Sequence, residues 1–368
     1  MPFEFFTERV DESGAVRGQV CLATGEGNQP SIAYATDSGA VMLAERVDNE
    51  WLLSKVPGDL ATRDTYRVAL ALDGGSEPHI AYVSAASDHL IYGVRRASWQ
   101  LEEVPTEAGL FPGAVRFPAL KLYPGFFEVP EQGGEAFKWA PHLCYQAGLS
   151  LWHASKQRRR ADPASGPVWK KNVVKVDESD GTEKGWFATL EFDPEDNLWI
   201  AAFDELPGGN RRRLRLSTIK RDFEDGPDEM ETREAVGGDI LGEFPAVAHS
   251  ITGEGIVTYY ERNERAIKVF MFGNGPGLPA VGTVASDVDG VDVWPSPGIS
   301  HHNGFCVAYG SGGTLRFATR VGSNGVAIQD VADGGKWASL DFDIDGNAHI
   351  AHVADGRLMY AFASRSEG

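Results

Sequence analysis

Cysteine is scarce in this chain of 368 residues, which holds three: Cys21, Cys144 and Cys306. They lie far apart in apolar strand-like stretches. A set that small and scattered argues against a disulfide framework or a thiolate metal site and predicts reduced core residues. Long hydrophobic runs are missing as well. No apolar stretch approaches the roughly 18 residues that a membrane helix requires, so no membrane partner is expected. The opening residues, Met1-Pro-Phe-Glu-Phe-Phe-Thr-Glu8, have neither the basic start nor the apolar run of a secretory leader, and a cytoplasmic address is the expectation. Cations are outnumbered: 34 Lys and Arg against 53 Asp and Glu give a formal net charge of −19. That field repels phosphate backbones and anionic surfaces, which predicts no nucleic-acid partner. Two basic clusters, Lys156–Arg160 and Arg211–Arg215, stand against it, either as solvated loop charge or as an anion-binding patch. Helical periodicity is nearly absent. So are the signatures of catalysis: no Ser-His-Asp order, phosphate-cradling glycine loop, zinc spacing or carboxylate pair stands out.

What the chain does have is repetition. With 43 Gly, 20 Pro and 42% hydrophobic residues it reads as a turn-rich globular protein. The clearest unit is Val68-Ala-Leu-Ala-Leu-Asp73, a glycine turn, then Pro78-His-Ile-Ala-Tyr82. A second copy is Ala338-Ser-Leu-Asp-Phe-Asp343, Ile-Asp-Gly-Asn, then Ala348-His-Ile-Ala-His352. Each reads as an alternating strand, a tight turn and a second strand. Further copies of the second strand start at Pro30, Pro141, Leu198, Gly255 and Phe305, which makes seven. A third strand follows each, as at Leu90, Leu315 and Leu358, and then a fourth whose large apolar residue precedes a Val by five positions: Trp51 and Val56, Trp99 and Val104, Trp169 and Val174, Val326 and Val331.

The seventh unit lacks that fourth strand. Phe5 and Val10 show its spacing at the opposite end of the chain. The reading is therefore all-β: a single-domain seven-bladed β-propeller over residues 1–368, closed by an N-terminal strand that completes the last blade. The expected blades span about 18–56, 67–104, 117–176, 186–236, 243–284, 294–331, and 335–364 with 3–10. Closure of this kind leaves no blade unpaired. The third unit carries two insertions, 123–140 and 155–168, on the face of the strand-one to strand-two turns.

Ligands of propellers usually sit on the other face, formed by the loops from strand two to three and from strand four to the next strand one. Tyr34, Tyr82, Tyr145, Tyr259, Tyr309 and His352 end strand two near that face. Arg67, Trp294 and Trp337 start strand one there with Phe117, Phe187 and Phe244, beside Arg17 and Arg116. Such side chains can stack on sugars, move protons or neutralise carboxylates; they can equally be packing between blades. Lys121, Glu191 and Asp341 stand on inner strands in the register that is Ala or Gly elsewhere (Ala23, Ala71, Ala248, Gly298). A charge there implies a wet or paired place near the axis. With His352, these three are the catalytic candidates. His79, His142 and His349 share one register and could ligate a metal or bond neighbouring turns. Asp343–Asn347 and Asp193–Asn197 resemble the start of a calcium loop, but Ala354 and Asp204 stand where its twelfth-position Glu belongs. Self-bonded Asx turns explain them, so neither a metal nor a cofactor is expected, with structural calcium as the alternative.

The Asp343-Ile-Asp-Gly-Asn-Ala-His-Ile-Ala351 pattern, followed by Leu358-Met-Tyr-Ala361, resembles the degenerate repeats of bacterial sialidase-like propellers, the grouping of BNR or Asp-box-like repeats. The resemblance covers all seven units and is architectural. The Asp-box proper ends in Thr-Trp, which is not met here, and the sialidase arginine triad and tyrosine nucleophile have no counterparts. It implies a grouping rich in carbohydrate hydrolases, polysaccharide lyases and lectins. Loops between strands two and three differ greatly between units, which favours one asymmetric site at the channel mouth for a saccharide or small polar ligand over one lectin site per blade. A non-catalytic protein-interaction scaffold is the alternative.

Overall fold

The computed structural model describes residues 3–12, 15–59, 67–105, 115–123, 139–157, 168–174, 182–208, 211–220, 229–273, 280–289, 293–300, 304–320 and 325–364. The insertion residues 124–138 and 158–167 lie outside them. Among the described residues every regular element is a strand, and no helix is long and apolar enough to cross a membrane.

Strand β1 (Glu4–Arg9) precedes the first blade. Blade 1 is β2 (Val16–Thr24), β3 (Pro30–Thr36), β4 (Ala40–Val47) and β5 (Glu50–Asp59). Blade 2 is β6 (Ala69–Leu72), β7 (Pro78–Val83), β8 (Leu90–Arg95) and β9 (Trp99–Glu103). Blade 3 is β10 (Val115–Tyr123), β11 (Ala140–Ala147), β12 (Ser150–Gln157) and β13 (Val168–Val174). Blade 4 is β14 (Trp186–Phe192), β15 (Leu198–Glu205), β16 (Arg212–Lys220) and β17 (Glu229–Ile240). Blade 5 is β18 (Gly242–His249), β19 (Gly255–Glu261), β20 (Ala266–Phe272) and β21 (Ala280–Ala285). Blade 6 is β22 (Ser296–Ser300), β23 (Gly304–Ser311), β24 (Thr314–Arg320) and β25 (Val326–Asp333). Blade 7 is β26 (Lys336–Phe342), β27 (Ala348–Ala354) and β28 (Arg357–Ser364), with β1 as its outer strand. The molecule is a seven-bladed β-propeller, and its ends close it.

The closure is complete in register: Glu4 faces Ser364, Phe5 faces Ala363 and Arg9 faces Met359. The Val10 amide extends the ladder to the Leu358 carbonyl at 3.0 Å. Phe3 and Phe5 pack edge-on against Phe317 of blade 6, at 5.1 and 5.2 Å between ring centres.

Within a blade, the strands follow their depth. Second strands such as Pro78-His-Ile-Ala-Tyr-Val83 are buried at every position, because a neighbouring blade covers each face. Outer strands such as β9 alternate between exposed and half-buried residues. Three first turns share one device. In blades 2, 4 and 7 the Asp ending strand one (Asp73, Asp193, Asp343) accepts two backbone N–H groups of its own turn through Oδ1, at 2.8 to 3.0 Å. Its second oxygen faces a strand-two ring: His79 at 3.7 Å, Trp199 at 2.8 Å, His349 at 3.2 Å. The carboxylates that resembled a calcium loop are used by the turn itself. Asp343→Ala would strip acceptors from two amides and a buried histidine, and should cost about 2 kcal/mol, read as a lower denaturant midpoint at unchanged slope.

Candidate functional site

Strand one of every blade lines the central channel, where a cavity of ≈ 510 Å³ runs along the axis. Its two ends differ, and the difference begins with backbone geometry. In blades 3, 4, 5 and 7 the pairing of strands one and two slips at the start of strand one, between Arg116 and Ala119, Trp186 and Thr189, Glu243 and Ala246, and Lys336 and Ser339. Inside each bulge an aromatic residue takes a left-handed backbone: Phe117 (φ 52), Phe187 (φ 57), Phe244 (φ 54) and Trp337 (φ 52). Bulky side chains rarely adopt that region, and each costs about 1–2 kcal/mol. What the bulges accomplish is re-aiming. Blade 1 bulges in the same place with Gly18 (φ 79), where no ring exists to be turned.

The turned rings meet across the axis. Phe187 lies 4.6 Å from Phe117, 4.5 Å from Phe244 and 6.1 Å from Trp294, and Phe244 stacks on Trp294 at 4.5 Å. Blades 4 and 6 are not neighbours, so the Phe187–Trp294 contact spans the channel. Phe117, Phe187 and Trp294 are buried, with Trp186, Phe244 and Trp337 packed on them. This aromatic plug closes the end where strand one begins, the face on which propeller ligands were expected. Among the described residues the cavity extends instead to the end where strand one runs into its first turn, past Phe192, His249, Phe342 and Asp343.

Toward that open end lie three of the sequence candidates. Lys121 Nζ pairs with Glu191 Oε2 at 2.5 Å, joining blades 3 and 4. Asp341 Oδ2 accepts hydrogen bonds from Thr24 N and Thr24 Oγ1, both at 2.8 Å, joining blades 7 and 1. Inner strands of adjacent blades splay apart without a shared ladder, and polar side chains bridge the gap; Ser339 Oγ likewise accepts from Leu22 N at 3.0 Å. Burial alone would lower the Lys121 pKa, but Glu191, helped by Asp341, outweighs it and the value is raised. Lys121 is thus a fixed cation rather than a proton acceptor.

The other candidates are dispersed. Tyr34, Tyr82, Tyr145, Tyr259 and Tyr309 are buried in five separate clusters between blades and do not reach the cavity. Two of their hydroxyls tie a blade to its predecessor: Tyr34 donates to Asp11 at 2.6 Å and Tyr82 to the Pro57 carbonyl at 2.8 Å. His352 occupies the same register, fully buried, and among the described residues neither ring nitrogen has a hydrogen-bond partner. Trp294 and Trp337 belong to the plug. Arg116 stacks on Trp186 at 5.8 Å and pairs with Glu183 at 3.5 Å. Arg17 sits at the bulge of β2, away from the cavity lining. Arg67 does line the cavity.

The basic cluster Arg211–Arg215 resolves into ion pairs on β16. Arg213 and Arg215 converge on the fully buried Asp204, and Arg212 reaches Glu243 at 3.4 Å. In the other cluster Lys156 pairs with Glu102, and residues 158–160 lie outside the described residues. The aligned histidines are structural: His79 meets Tyr92 Oη at 2.5 Å, His349 meets Tyr360 Oη at 2.6 Å, and His142 meets His153 at 3.1 Å. Among the described residues no group of three or more His, Cys, Asp or Glu is arranged to hold a metal ion, and the three cysteines are free.

No family model matches the chain, and no curated protein does. Solved structures do. An ulvan lyase of polysaccharide lyase family PL25, bound to -[GlcA(1-4)Rha3S]-, aligns with TM-score 0.60 at 10% identity, covering 96% of this chain and 95% of that one. The Cps50 (Swd1) β-propeller domain of Myceliophteria thermophila aligns with TM-score 0.57 at 12% identity, over 96% and 99% of the two chains. The GH93 α-L-arabinofuranosidase of Fusarium graminearum, in complex with arabinobiose, gives 0.53 at 12% identity, over 99% and 98%. At such identities these likenesses carry the propeller fold, and the sialidase-like grouping is not among what they show.

Proposed function

We propose that the channel cavity is a single binding site for a saccharide, reached from the face of the first turns. The observation that carries this reading is the convergence of Lys121, Glu191 and Asp341 in one cavity of ≈ 510 Å³ whose other walls mix Ala and Leu of strand one with polar residues such as Gln19, Arg67, Thr189 and Ser339. The volume falls within the range of small-molecule sites, and walls that present more polar than apolar surface suit a ligand rich in hydroxyls. Lys121 supplies a cation to ring or hydroxyl oxygens, and Glu191 accepts hydroxyl donors on the same side. Two of the three neighbours named above are carbohydrate-active enzymes, which supports a sugar over other polar ligands. A carbohydrate-active role of hydrolase or lyase type extends the same proposal, with Glu191 as the proton-moving group and Lys121 holding charge.

The test is calorimetric titration of the protein with a panel of mono- and disaccharides, neutral and acidic. At least one should bind, and Lys121→Ala should weaken it by about tenfold or more, the worth of a lost charge-assisted hydrogen bond. Ile344→Ala, on an exposed first turn, should leave binding unchanged. A panel without binding, or a Lys121→Ala protein that binds as before, would count against the site.

A further inference from the structure

The closed end of the cavity is not uniformly aromatic. Blades 3 to 7 supply rings to the plug, whereas blades 1 and 2 supply Gly18 with Gln19, and Arg67. Gln19 and Arg67 are held side by side by a parallel backbone bridge, and both line the cavity. The Arg67 guanidinium lies 5.5 Å from the centre of the Trp294 ring, and its Nη1 donates to the Ala188 carbonyl at 2.8 Å. Those contacts reach across the axis to blades 6 and 4. They fix the side chain in place but leave its charge unmatched.

Among the described residues no carboxylate pairs with Arg67, and its Nε is buried without a hydrogen-bond partner. The Gln19 carboxamide oxygen beside it is also buried and unpartnered. Three other inward-facing cations have carboxylate partners: Arg215 with Asp204, Arg95 with Glu45, Lys121 with Glu191. A cation withdrawn from water without a counter-charge is costly. Burial lowers the Arg67 pKa, opposed by the thiols of Cys21 and Cys144 but by no carboxylate. Arginine nevertheless stays protonated, so the deficit is one of partners. Such a deficit is removed when an anion arrives.

Geometry decides how the anion is presented. Among the described residues nothing closes one mouth, and the far end is closed by rings in contact, so a polymer cannot thread the channel and only a chain end can be inserted. We infer that the cavity takes the terminal unit of an anionic saccharide, its oxyanion substituent (a carboxylate or a sulfate ester) directed to Arg67 at the closed end and a neighbouring sugar hydroxyl donating to the Gln19 carboxamide oxygen. This rests on the saccharide reading above and adds to it the ligand's charge and its orientation. A guanidinium fork suits either oxyanion.

Titration with matched sugars separates the two levels of the proposal. Galactose, galacturonate and galactose 6-sulfate are compared as free sugars and as the non-reducing ends of short oligosaccharides, against the unmodified protein and Arg67→Met. The expected result is binding about tenfold tighter for one acidic sugar than for galactose, a preference that falls to within about twofold in Arg67→Met. Preference for the uronate identifies a carboxylate, and preference for the sulfate an ester. Equal affinity for acidic and neutral sugars, or a preference that survives Arg67→Met, overturns this inference and leaves the saccharide site standing. Binding by none of the sugars removes both. If Arg67→Met fails to fold, the acidic-to-neutral ratio on the unmodified protein decides the matter alone.

Discussion

A chain lacking residues 1–9 should lose its cooperative thermal transition, and a peptide of residues 1–12 added in trans should restore it in part. Those residues contain β1, the outer strand of blade 7. Removing it leaves the β28 edge unpaired from Met359 to Ser364, and such an edge templates aggregation. It also removes Phe3 and Phe5 from Phe317, worth roughly 1.5–3 kcal/mol for each ring fully buried and less for these half-buried ones. Glu8 goes too. It accepts the Trp51 indole N–H at 2.8 Å and pairs with Arg46 at 3.2 Å, so blade 1 loses contacts as well as blade 7. The total is on the order of 5 kcal/mol, comparable with the entire net stability of many domains. A truncated chain that melts at the same temperature as the full one would mean the ring is held shut by something other than β1.

That closure was legible before any coordinates because it rests on spacing. Phe5 and Val10 repeat the distance between Trp51 and Val56, and a strand with no local partner must find a distant one. The hairpins of blades 2, 4 and 7 were legible for a similar reason: Asp73, Asp193 and Asp343 end strand one, and the Asn or Gly of the turn marks the reversal chemically. The functional end of the channel was not. Whether an aromatic residue at the start of strand one faces the axis or a neighbouring blade depends on a bulge with one left-handed residue, and Phe117, Phe187, Phe244 and Trp337 carry no local sign of it. Glycine would have been the conventional marker, and it occurs in blade 1 alone. The tyrosines show a second limit. Strand two is buried on both faces, as in β7 and β19, so there is no alternation to say which way Tyr82 or Tyr259 points. The inner-strand charges were found because they broke a pattern of Ala and Gly. Their role as ties between blades depends on partners far away in sequence, such as Thr24 for Asp341, and no local rule reveals those.

Acid should unfold this propeller well before its carboxylates are fully protonated, and the cause lies in its buried histidines. Burial pushes His153 and His352 down to about 4, and His79 to about 4 against the opposing pull of Asp73. All three rings are essentially hidden from solvent. An unfolded chain takes up protons on them below about pH 6.5, whereas the folded chain refuses them until about pH 4. Stability is therefore full above pH 7 and falls as the pH drops from 6.5 toward 4, by up to about 3 kcal/mol for each ring at the lower limit. His352 offers the sharpest test. Five other blades place tyrosine in its register, and among the described residues nothing bonds its nitrogens, so its charge has no favourable place to go. In His352→Leu the dependence of unfolding free energy on pH should flatten by as much as about 1.4 kcal/mol per pH unit between pH 6.5 and 4, while stability at pH 8 changes far less. Denaturant titrations at half-unit intervals would show it. An unchanged slope in the variant would mean that His352 takes up its proton without penalty, which a ring sealed between blades 6 and 7 without an acceptor cannot do.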